Sequence, residues 1–302
     1  MDDELGVPDR IPYRGKGSKW MKRVLSADTS YRPSIVLGEY VELDRTSLCG
    51  VTFKITRITQ FNELLQTLAS NSNTGYRIYT VNMEFLYWAR RDRRFLEALN
   101  RGDTTVDSAW VRRLIALKYG WAPDQIAGSR FTPLVVEYAC RNNLKILFVG
   151  GSRELHVALR RRILSMEKGW GCSLRAKYLD PGKVSLYPER GDPEVDRILE
   201  AVKDYRPSIV LVALGPPKQE ILIDLLWEDM KRNGVVLVAG VGGSLKMLAG
   251  LEKPAPEWVS KLMLEWFYRL LQDPKRRLVK VYRSVVALGC ALWEAIGYRV
   301  RG

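Results

Sequence analysis

The sequence of 302 residues contains a single histidine, His156, and four cysteines, and both scarcities limit its chemistry. One imidazole cannot build a histidine-rich metal site, and the HExxH motif is absent. Cys49, Cys140, Cys172 and Cys290 are far apart and form no CxxC pair, so the sequence indicates neither a zinc site nor a disulfide framework. This low number and wide spacing of cysteines favours a reduced, cytosolic setting. His156 lies amid arginines on a predicted helix, where a surface or interface role is favoured over catalysis.

Long apolar runs and the common phosphate-binding motifs are also missing. The N-terminus, MDDELGVPDR, is acidic and has no apolar run, so no targeting signal is expected. The run VVALGCALW near the C-terminus is shorter than the ~20 residues needed to span a bilayer. The motif GxxxxGK[ST] is absent, and no GxGxxG follows the first strand, which disfavours P-loop NTPases and dinucleotide-dependent enzymes.

Positive charge is abundant, with a formal net charge of +14 and a pI near 9.7. Such an excess predicts a polyanionic partner, which can be nucleic acid, anionic lipid or a phosphorylated substrate. Helix-turn-helix, zinc-finger and RNP-like patterns are all missing, so we expect no nucleic-acid partner. The hydrophobic content of 46% is ample for a packed core.

Apolar strands alternate with segments of helical spacing through the middle of the chain. This alternation predicts an α/β fold, a parallel Rossmann-like sheet with helices on both faces, followed by a C-terminal helical appendage. CGVTFKI is expected to be the first strand, EFLYWARRDRRFLEAL one helix, and Ser152 and Gly120 helix caps. The predicted parts are an N-terminal extension (residues 1–45), an α/β core (46–252) and a basic helical segment (253–302).

Polar residues and glycines follow the ends of several predicted strands. Because the carboxyl ends of parallel strands meet at one edge of a sheet, we expect these residues to converge on one crevice. Glycines there let backbone N–H groups approach a phosphate, although a lone Gly-Gly pair is more often a tight turn. The residues are Thr80, Asn82, Asp107, Gly150, Gly151, Gly215, Lys218, Gln219, Gly240, Gly242, Gly243 and Ser244.

Asp107 is the carboxylate that the sequence singles out. It follows a short apolar strand, whereas most other acidic residues lie in helices beside lysine or arginine. An aspartate at this place can act as a general base when a substrate hydroxyl lies within hydrogen-bond reach. It can equally be a helix N-cap or a turn residue, and the sequence pattern alone leaves both open.

Four segments together resemble the WecG/TagA/CpsF glycosyltransferase family over roughly residues 47–280. They are TVNMEFLYWARRD, ALGPPKQE, GVGGSLKMLAG and PAPEWVSKLMLEWFYRLLQDPKRR. The resemblance implies an inverting enzyme that moves a sugar such as N-acetylmannosamine from a UDP-sugar to a polyprenyl-diphosphate-linked acceptor in cell-surface polysaccharide synthesis. It implies no metal and no cofactor. A non-catalytic relative that binds nucleotide sugar or lipid is the alternative.

The resemblance also implies roles for individual residues. Asp107 corresponds to the family's general base, and Thr80, Asn82 and Gln219 match its site residues. We expect the substrate-binding surface to include Gly215, Lys218, Gly242 and Gly243, although Lys218 can also be a solvated helix start. Arg269 and Arg276 match arginines that close the family's site and would bind the departing diphosphate.

The sequence departs from the family pattern in four places. Ser108 replaces the glycine that follows the aspartate, and Leu245 and Lys246 replace a Phe-Asp pair. Residues 254–256 read Pro-Ala-Pro where the family has Arg-Ala-Pro, and Val279 replaces a second arginine. These departures leave the donor sugar open.

The segment 253–302 is basic, aromatic and amphipathic. By composition it suits a membrane surface, a dimer interface or a core-packing face equally well. The resemblance favours the membrane, because the acceptors of the family are lipids. We therefore expect a peripheral enzyme on the cytoplasmic face of the cell membrane, with a homo-oligomer left open.

Overall fold

The computed structural model describes residues 46–68, 75–252 and 274–301, together with the isolated positions 259, 268, 270 and 271. Within the last helix, the side chains of residues 274–277 and 301 are not described. The predicted extension, residues 1–45, lies outside the described residues, as does most of the segment between 252 and 274.

The centre of the fold is a six-stranded sheet in which every pair of neighbouring strands is parallel. Its order is β4-β3-β8-β7-β5-β6, and a separate antiparallel pair, β1-β2, precedes it. The parallel α/β fold predicted from the strand–helix alternation is confirmed. The strands are β1 (Ser47–Leu48), β2 (Val51–Thr52), β3 (Tyr76–Val81), β4 (Asp103–Val106), β5 (Lys145–Val149), β6 (Arg175–Leu179), β7 (Ile209–Val212) and β8 (Leu237–Gly240).

Helices follow the strands of the large sheet, and a long helix ends the described chain. They are α1 (Ile58–Leu68), α2 (Met83–Ala89), α3 (Arg93–Arg101), α4 (Ala109–Tyr119), α5 (Gly128–Arg141), α6 (Arg153–Trp170), α7 (Pro193–Tyr205), α8 (Lys218–Arg232), α9 (Ser244–Leu248) and α10 (Pro274–Arg301). In the described part of the chain, no helix combines the length and the apolarity needed to cross a membrane.

Two apolar cores lie on opposite faces of the sheet, because successive side chains of a strand point to opposite sides. In β5, Leu147 and Val149 join the core beneath α2, α3, α4, α7, α8 and α10. Ile146 and Phe148 join the other core, beneath α1, α5, α6 and α9. Covered faces on both sides explain why the strands are continuously apolar.

Capping residues fix where several helices begin and end. Ser152 accepts a hydrogen bond from the Leu155 N–H, and Gly120 ends α4 in the left-handed conformation, as the sequence predicts. The single helix expected over residues 84–99 is wrong, because Asp92 accepts a hydrogen bond from the Phe95 N–H and starts a new helix, α3.

The first expected strand, CGVTFKI, is also wrong. Cys49 and Gly50 have φ angles of 53° and 79°, and they form the turn between the two-residue strands β1 and β2. Beyond this hairpin, Ile55 makes a single parallel bridge to Thr105 at the edge of β4. The chain therefore turns where a regular strand would have joined the sheet.

The C-terminal helix α10 packs on α2 and α4. Its buried face carries alanines at a spacing of four, Ala287, Ala291 and Ala295, which allow close approach. Two sets of charged side chains fix it from either end. Arg283 and Lys280 contact the Glu84 carboxylate on α2 at 2.9 and 3.2 Å, and Glu294 contacts Lys118 on α4 at 2.9 Å.

The Lys118 ammonium group is almost completely buried, so its partner matters. Burial by itself lowers the pKa of Lys118, but hydrogen bonds to Glu294 and Tyr119 outweigh it and the pKa lies above its ordinary value. The other oxygen of Glu294 accepts the Cys49 N–H at 2.9 Å. One carboxylate thus ties α10 to α4 and to the β1-β2 turn.

Cys140 and Cys172 form a disulfide, which contradicts the expectation that the cysteines are unpaired. They are 32 residues apart in the sequence, but α5 and α6 pack on the same face of the sheet and bring their ends together. The Cα atoms are 5.8 Å apart, within the range that a disulfide requires. Cysteine spacing alone carries no information on this tertiary contact.

We expect protein purified without reductant and then denatured to show only the thiols of Cys49 and Cys290. Replacing both Cys140 and Cys172 by serine should lower the free energy of unfolding by about 3–4 kcal/mol, because a 32-residue loop is no longer closed in the unfolded chain. Thiol titration and denaturant unfolding measure the two effects. Four reactive thiols in the unreduced protein would contradict the disulfide.

Candidate active site

Asp107 stands immediately after β4, at the carboxyl edge of the sheet, and is half-buried. Its N–H donates to the Val81 carbonyl of the neighbouring strand at 2.9 Å. The Oδ1 atom of its side chain accepts the Gly128 N–H at 2.7 Å, and the Gln125 amide donates to its backbone carbonyl at 2.7 Å. The carboxylate is thus held by the first residue of α5, and the backbone of Asp107 by the loop before that helix.

Asn82 follows the adjacent strand, β3, and is the N-cap of α2. Its Oδ1 atom accepts the N–H groups of Glu84 and Phe85 at 3.0 and 3.4 Å. Because the cap occupies the oxygen, the amide nitrogen points the other way, and it lies 3.5 Å from Asp107 Oδ2. Asn82 therefore serves both as a helix cap and as a neighbour of the carboxylate.

Thr80, Ser244 and Asp107 surround the Cα atom of Gly128. A Cβ atom on Gly128 would lie 2.8 Å from Ser244 Oγ, 3.1 Å from Thr80 Oγ1 and 3.8 Å from Asp107 Oδ1. The lack of a side chain at position 128 lets the start of α5 approach these hydroxyl groups without displacing them. The structure thereby brings together three of the sequence-predicted strand ends, those of β3, β4 and β8.

A second group of predicted residues lies at the carboxyl ends of β7 and β8. Gln219 Oε1 accepts the Gly215 N–H at 3.0 Å, and the side chain is almost completely buried. A Cβ atom on Gly240 would lie 3.0 Å from Gln219 Nε2, and one on Gly242 would lie 3.8 Å from Gln219 Oε1. Gln219 is thus packed against residues 240–243, which we call the glycine turn.

The glycine turn connects the two groups. Ser244, which directly follows the turn, lies near Thr80 in the group around Asp107. Gly240 and Gly242, within the turn, lie near Gln219 in the second group. The exposed Gly243 stands between them. Asp107, Asn82, Thr80, the glycine turn and Gln219 therefore line adjacent strand ends of one sheet edge.

One predicted residue, Lys218, is not brought into this group. Lys218 donates from Nζ to the Val184 carbonyl at 3.3 Å, so its ammonium group contacts the loop before α7. Arg269 lies outside the described residues, and only the backbone of Arg276 is described. Their expected contact with a diphosphate stays a prediction.

Sequence reasoning missed Gln125 and Gly128, which contact Asp107 directly. Both lie in WAPDQIAGSR, a stretch without clear strand or helix periodicity that runs into the first turn of α5. The available signal was a glycine at the start of a helix, which is ambiguous by itself. Among the described residues, no cluster of three or more His, Cys, Asp or Glu side chains could hold a metal ion.

Comparison with known proteins decides the family. The sequence profile of the glycosyl transferase WecG/TagA/CpsF family matches residues 46–301. The chain belongs to this family. Proteins of Staphylococcus aureus strains MW2 and NCTC 8325 / PS 47, both named N-acetylglucosaminyldiphosphoundecaprenol N-acetyl-beta-D-mannosaminyltransferase, are 29% identical to it over 237 residues. This alignment covers 77% of the chain and 86% of each relative, and the protein of strain MRSA252 is 28% identical over the same length.

Membership in the WecG/TagA/CpsF family makes this protein a glycosyltransferase. Two of its departures from the family pattern have a structural reason. Ser108 is the N-cap of α4 and accepts the Val111 N–H at 3.3 Å, so it starts the helix that follows Asp107. Leu245 is fully buried in the core beneath α5 and α6.

The two roles of Asn82 can be separated by substitution. Asn82→Ser keeps a capping oxygen but removes the amide near Asp107, whereas Asn82→Ala removes both. We expect the alanine variant to lose about 1 kcal/mol of unfolding free energy and the serine variant only a few tenths. Both should lose glycosyl transfer, since neither can orient Asp107. Urea unfolding and initial rates measure the two effects, and full activity of Asn82→Ser would show that Asn82 is only a cap.

Proposed function

We propose that this glycosyltransferase moves an N-acetylmannosamine-like sugar from a UDP-sugar to a lipid-diphosphate-linked acceptor, with inversion at the anomeric carbon. The observation that carries the proposal is the orientation of Asp107 by Gly128 and Asn82 at the edge where the strand ends converge. Relatives that share 29% identity are named as N-acetylmannosaminyltransferases that act on N-acetylglucosaminyldiphosphoundecaprenol. Their names support the choice of sugar and of acceptor class.

Asp107 acts as the general base in this proposal. The acceptor hydroxyl gives its proton to the carboxylate, and its oxygen forms a bond to the anomeric carbon of the donor. The bond from that carbon to the β-phosphate oxygen breaks, and UDP leaves with the electron pair. Attack from the side opposite the leaving group inverts the configuration. One carboxylate suffices, because no covalent sugar–enzyme intermediate forms.

The donor lies along the glycine turn in this proposal. Gly242 and Gly243 carry no side chain, so a ligand can approach their backbone closely, and the Gln219 amide lies next to Gly242. The departing diphosphate needs positive charge, and Arg269 and Arg276 are the proposed source. Lys218, whose ammonium group contacts the Val184 carbonyl, would have to turn away from that loop to contribute.

We expect Asp107→Asn to reduce turnover by about 10²–10⁴-fold while donor binding and stability change little, because asparagine keeps the shape but cannot take a proton. The assay is UDP release from UDP-N-acetylmannosamine with a water-soluble analogue of the lipid-diphosphate acceptor. Asp124→Asn is the matched control, since its side chain accepts the Ile58 N–H at 2.9 Å and an amide oxygen can do the same.

If the activity of Asp107→Asn were within about threefold of the wild type, Asp107 would not be the general base of the reaction. Absence of turnover in the wild type with every nucleotide sugar, together with intact UDP binding, would instead favour the non-catalytic alternative.

The terminal helix supports the proposed contact with a membrane surface. The face of α10 opposite its buried alanines is apolar and exposed, which a helix that only packs on a core would not require. Trp293 is 84% exposed and Val300 80% exposed. Among the described basic side chains of this helix, Lys280 and Arg299 are exposed and would attract anionic lipid. We call the exposed face the apolar stripe; it consists of Leu278, Tyr282, Val285, Trp293, Ile296 and Val300.

The proposal extends to the organisation of the chain. Residues 253–302 would form a membrane-associating appendage on the α/β core of residues 46–252, and the enzyme would be peripheral on the cytoplasmic face. The inner face of α10 packs into the core together with α2 and α4, so the appendage and the core share one apolar cluster. The apolar stripe would then hold the site near its lipid acceptor.

We expect the double substitution Trp293→Ser and Ile296→Ser to weaken binding to anionic vesicles by about tenfold or more, because apolar surface no longer enters the lipid. The fold should be unaffected, since both side chains are exposed. Vesicle sedimentation measures the partition. Leu164→Ser on α6 is the matched control, since Leu164 is also an exposed apolar residue on a basic helix.

Unchanged vesicle binding would contradict a membrane role for the apolar stripe. If, in the absence of vesicles, the wild type sedimented as a dimer and the double variant as a monomer, the stripe would be an interface between copies of this chain.

A further inference from the structure

Glu220 is a fully buried carboxyl group that the proposed reaction does not use. It lies in the first turn of α8, next to Gln219, and is 0% exposed. Its Oε1 atom accepts a hydrogen bond from Gln219 Nε2 at 2.6 Å. Its Oε2 atom is buried and has no hydrogen-bond partner among the described residues. A buried carboxyl with an unsatisfied oxygen is costly, so its presence calls for a reason.

The Gln219 amide is fixed at both ends by its surroundings. Its oxygen accepts the Gly215 N–H at 3.0 Å, and its nitrogen donates to Glu220. A Cβ atom on Gly240 would lie 2.9 Å from Glu220 Oε1 and 3.0 Å from Gln219 Nε2. The two side chains therefore lie directly against the glycine turn, and only glycine at position 240 leaves space for them.

We propose that Glu220 is a positioning residue that holds the Gln219 amide against the glycine turn and thereby sets the shape of the donor site. This inference rests on the proposed function for its catalytic consequence, but the contact between Glu220 and Gln219 can be tested without it. Without an acceptor at position 220, the Gln219 amide can rotate, and the turn above it loses its support. Misplacement of this kind far from the reacting atoms lowers turnover.

The charge state of Glu220 supports this role. Burial raises the pKa of Glu220 to about 8, and the nearby Glu84 carboxylate adds to the shift. The Gln219 hydrogen bond and the Lys280 ammonium act in the opposite direction. On β3, the pKa of Tyr79 lies well above its ordinary value, mainly through burial, so that this side chain is neutral too. Glu220 is therefore neutral at pH 7 and ionises when the pH rises past about 8.

The sign of the effect on stability follows. A carboxyl whose pKa is raised by folding stabilises the folded state at low pH, and this contribution is lost as the pH rises through the folded-state value. Glu220→Gln is neutral at every pH and keeps an oxygen that can accept from Gln219. Relative to the wild type, its melting temperature should therefore increase from about pH 5 to about pH 8 and level off above the folded-state pKa.

The decisive experiment observes Gln219 itself. The full chain is labelled with ¹⁵N in its glutamines, and the side-chain amide signal of Gln219, assigned by its loss in Gln219→Met, is followed from pH 6 to pH 9. We expect it to shift with a midpoint near 8 in the wild type and to stay constant in Glu220→Gln. Glu228→Gln, at an exposed position on the same helix, is the control, and in it the Gln219 signal should shift with pH as in the wild type. A Gln219 signal that does not titrate, or that titrates equally in Glu220→Gln, would overturn the proposal.

Turnover tests the consequence. Glu220→Leu, which cannot accept a hydrogen bond, should lower kcat by at least about tenfold with UDP-N-acetylmannosamine, and Glu220→Gln should restore it. A merely structural role predicts lower stability of Glu220→Leu with unchanged kcat for the folded fraction, which would contradict positioning. If the wild type transfers no sugar, the proposed function fails, and the Gln219 titration still decides whether Glu220 positions it.

Discussion

The hydrogen bond from the Gly128 N–H to Asp107 Oδ1 is the contact on which the candidate active site depends. It joins the end of β4 to the start of α5, 21 residues further along the chain and beyond the helix α4. The absence of a side chain on Gly128 favours this approach, since a Cβ atom would press on the Ser244 and Thr80 hydroxyl groups. The same close approach brings the ends of β3, β4 and β8 together. A carboxylate at the edge of a sheet thereby acquires a fixed direction.

The terminal helix α10 stabilises this edge from outside. It packs on α2 and α4. The N-cap of α2 is Asn82, which is a residue of the site, and the N-cap of α4 is Ser108, which directly follows Asp107. Arg283 contacts Glu84 in the first turn of α2, and Glu294 contacts Lys118 near the end of α4. The helix whose outer face carries the apolar stripe therefore also supports the helices that position Asn82 and Asp107. The proposed membrane contact on one face of α10 and the packing that supports the site on the other face would thus come from the same amphipathic helix.

The sequence predicts regular elements well where periodicity and capping agree. The parallel sheet follows from apolar runs between helices, and Ser152 and Gly120 mark helix ends by local chemistry alone. Prediction from the sequence failed where tertiary contacts determine the local structure. The Cys140–Cys172 disulfide depends on two helices meeting on one face, and the hairpin at Cys49 depends on a turn that interrupts an apolar run. The convergence of strand ends was predictable, because parallel strands share one carboxyl edge. The contacts of Gly128, Gln125 and Glu220 were not predictable, because no periodic sequence pattern marks them.

The central claim is that a carboxylate at this sheet edge directs an inverting sugar transfer. The most direct measurement is the anomeric configuration of the product, determined by NMR after reaction of UDP-α-N-acetylmannosamine with an acceptor analogue. A single displacement assisted by Asp107 predicts a β-linked product from the first turnover onward. An α-linked product would require two displacements or a different mechanism, and it would contradict the account.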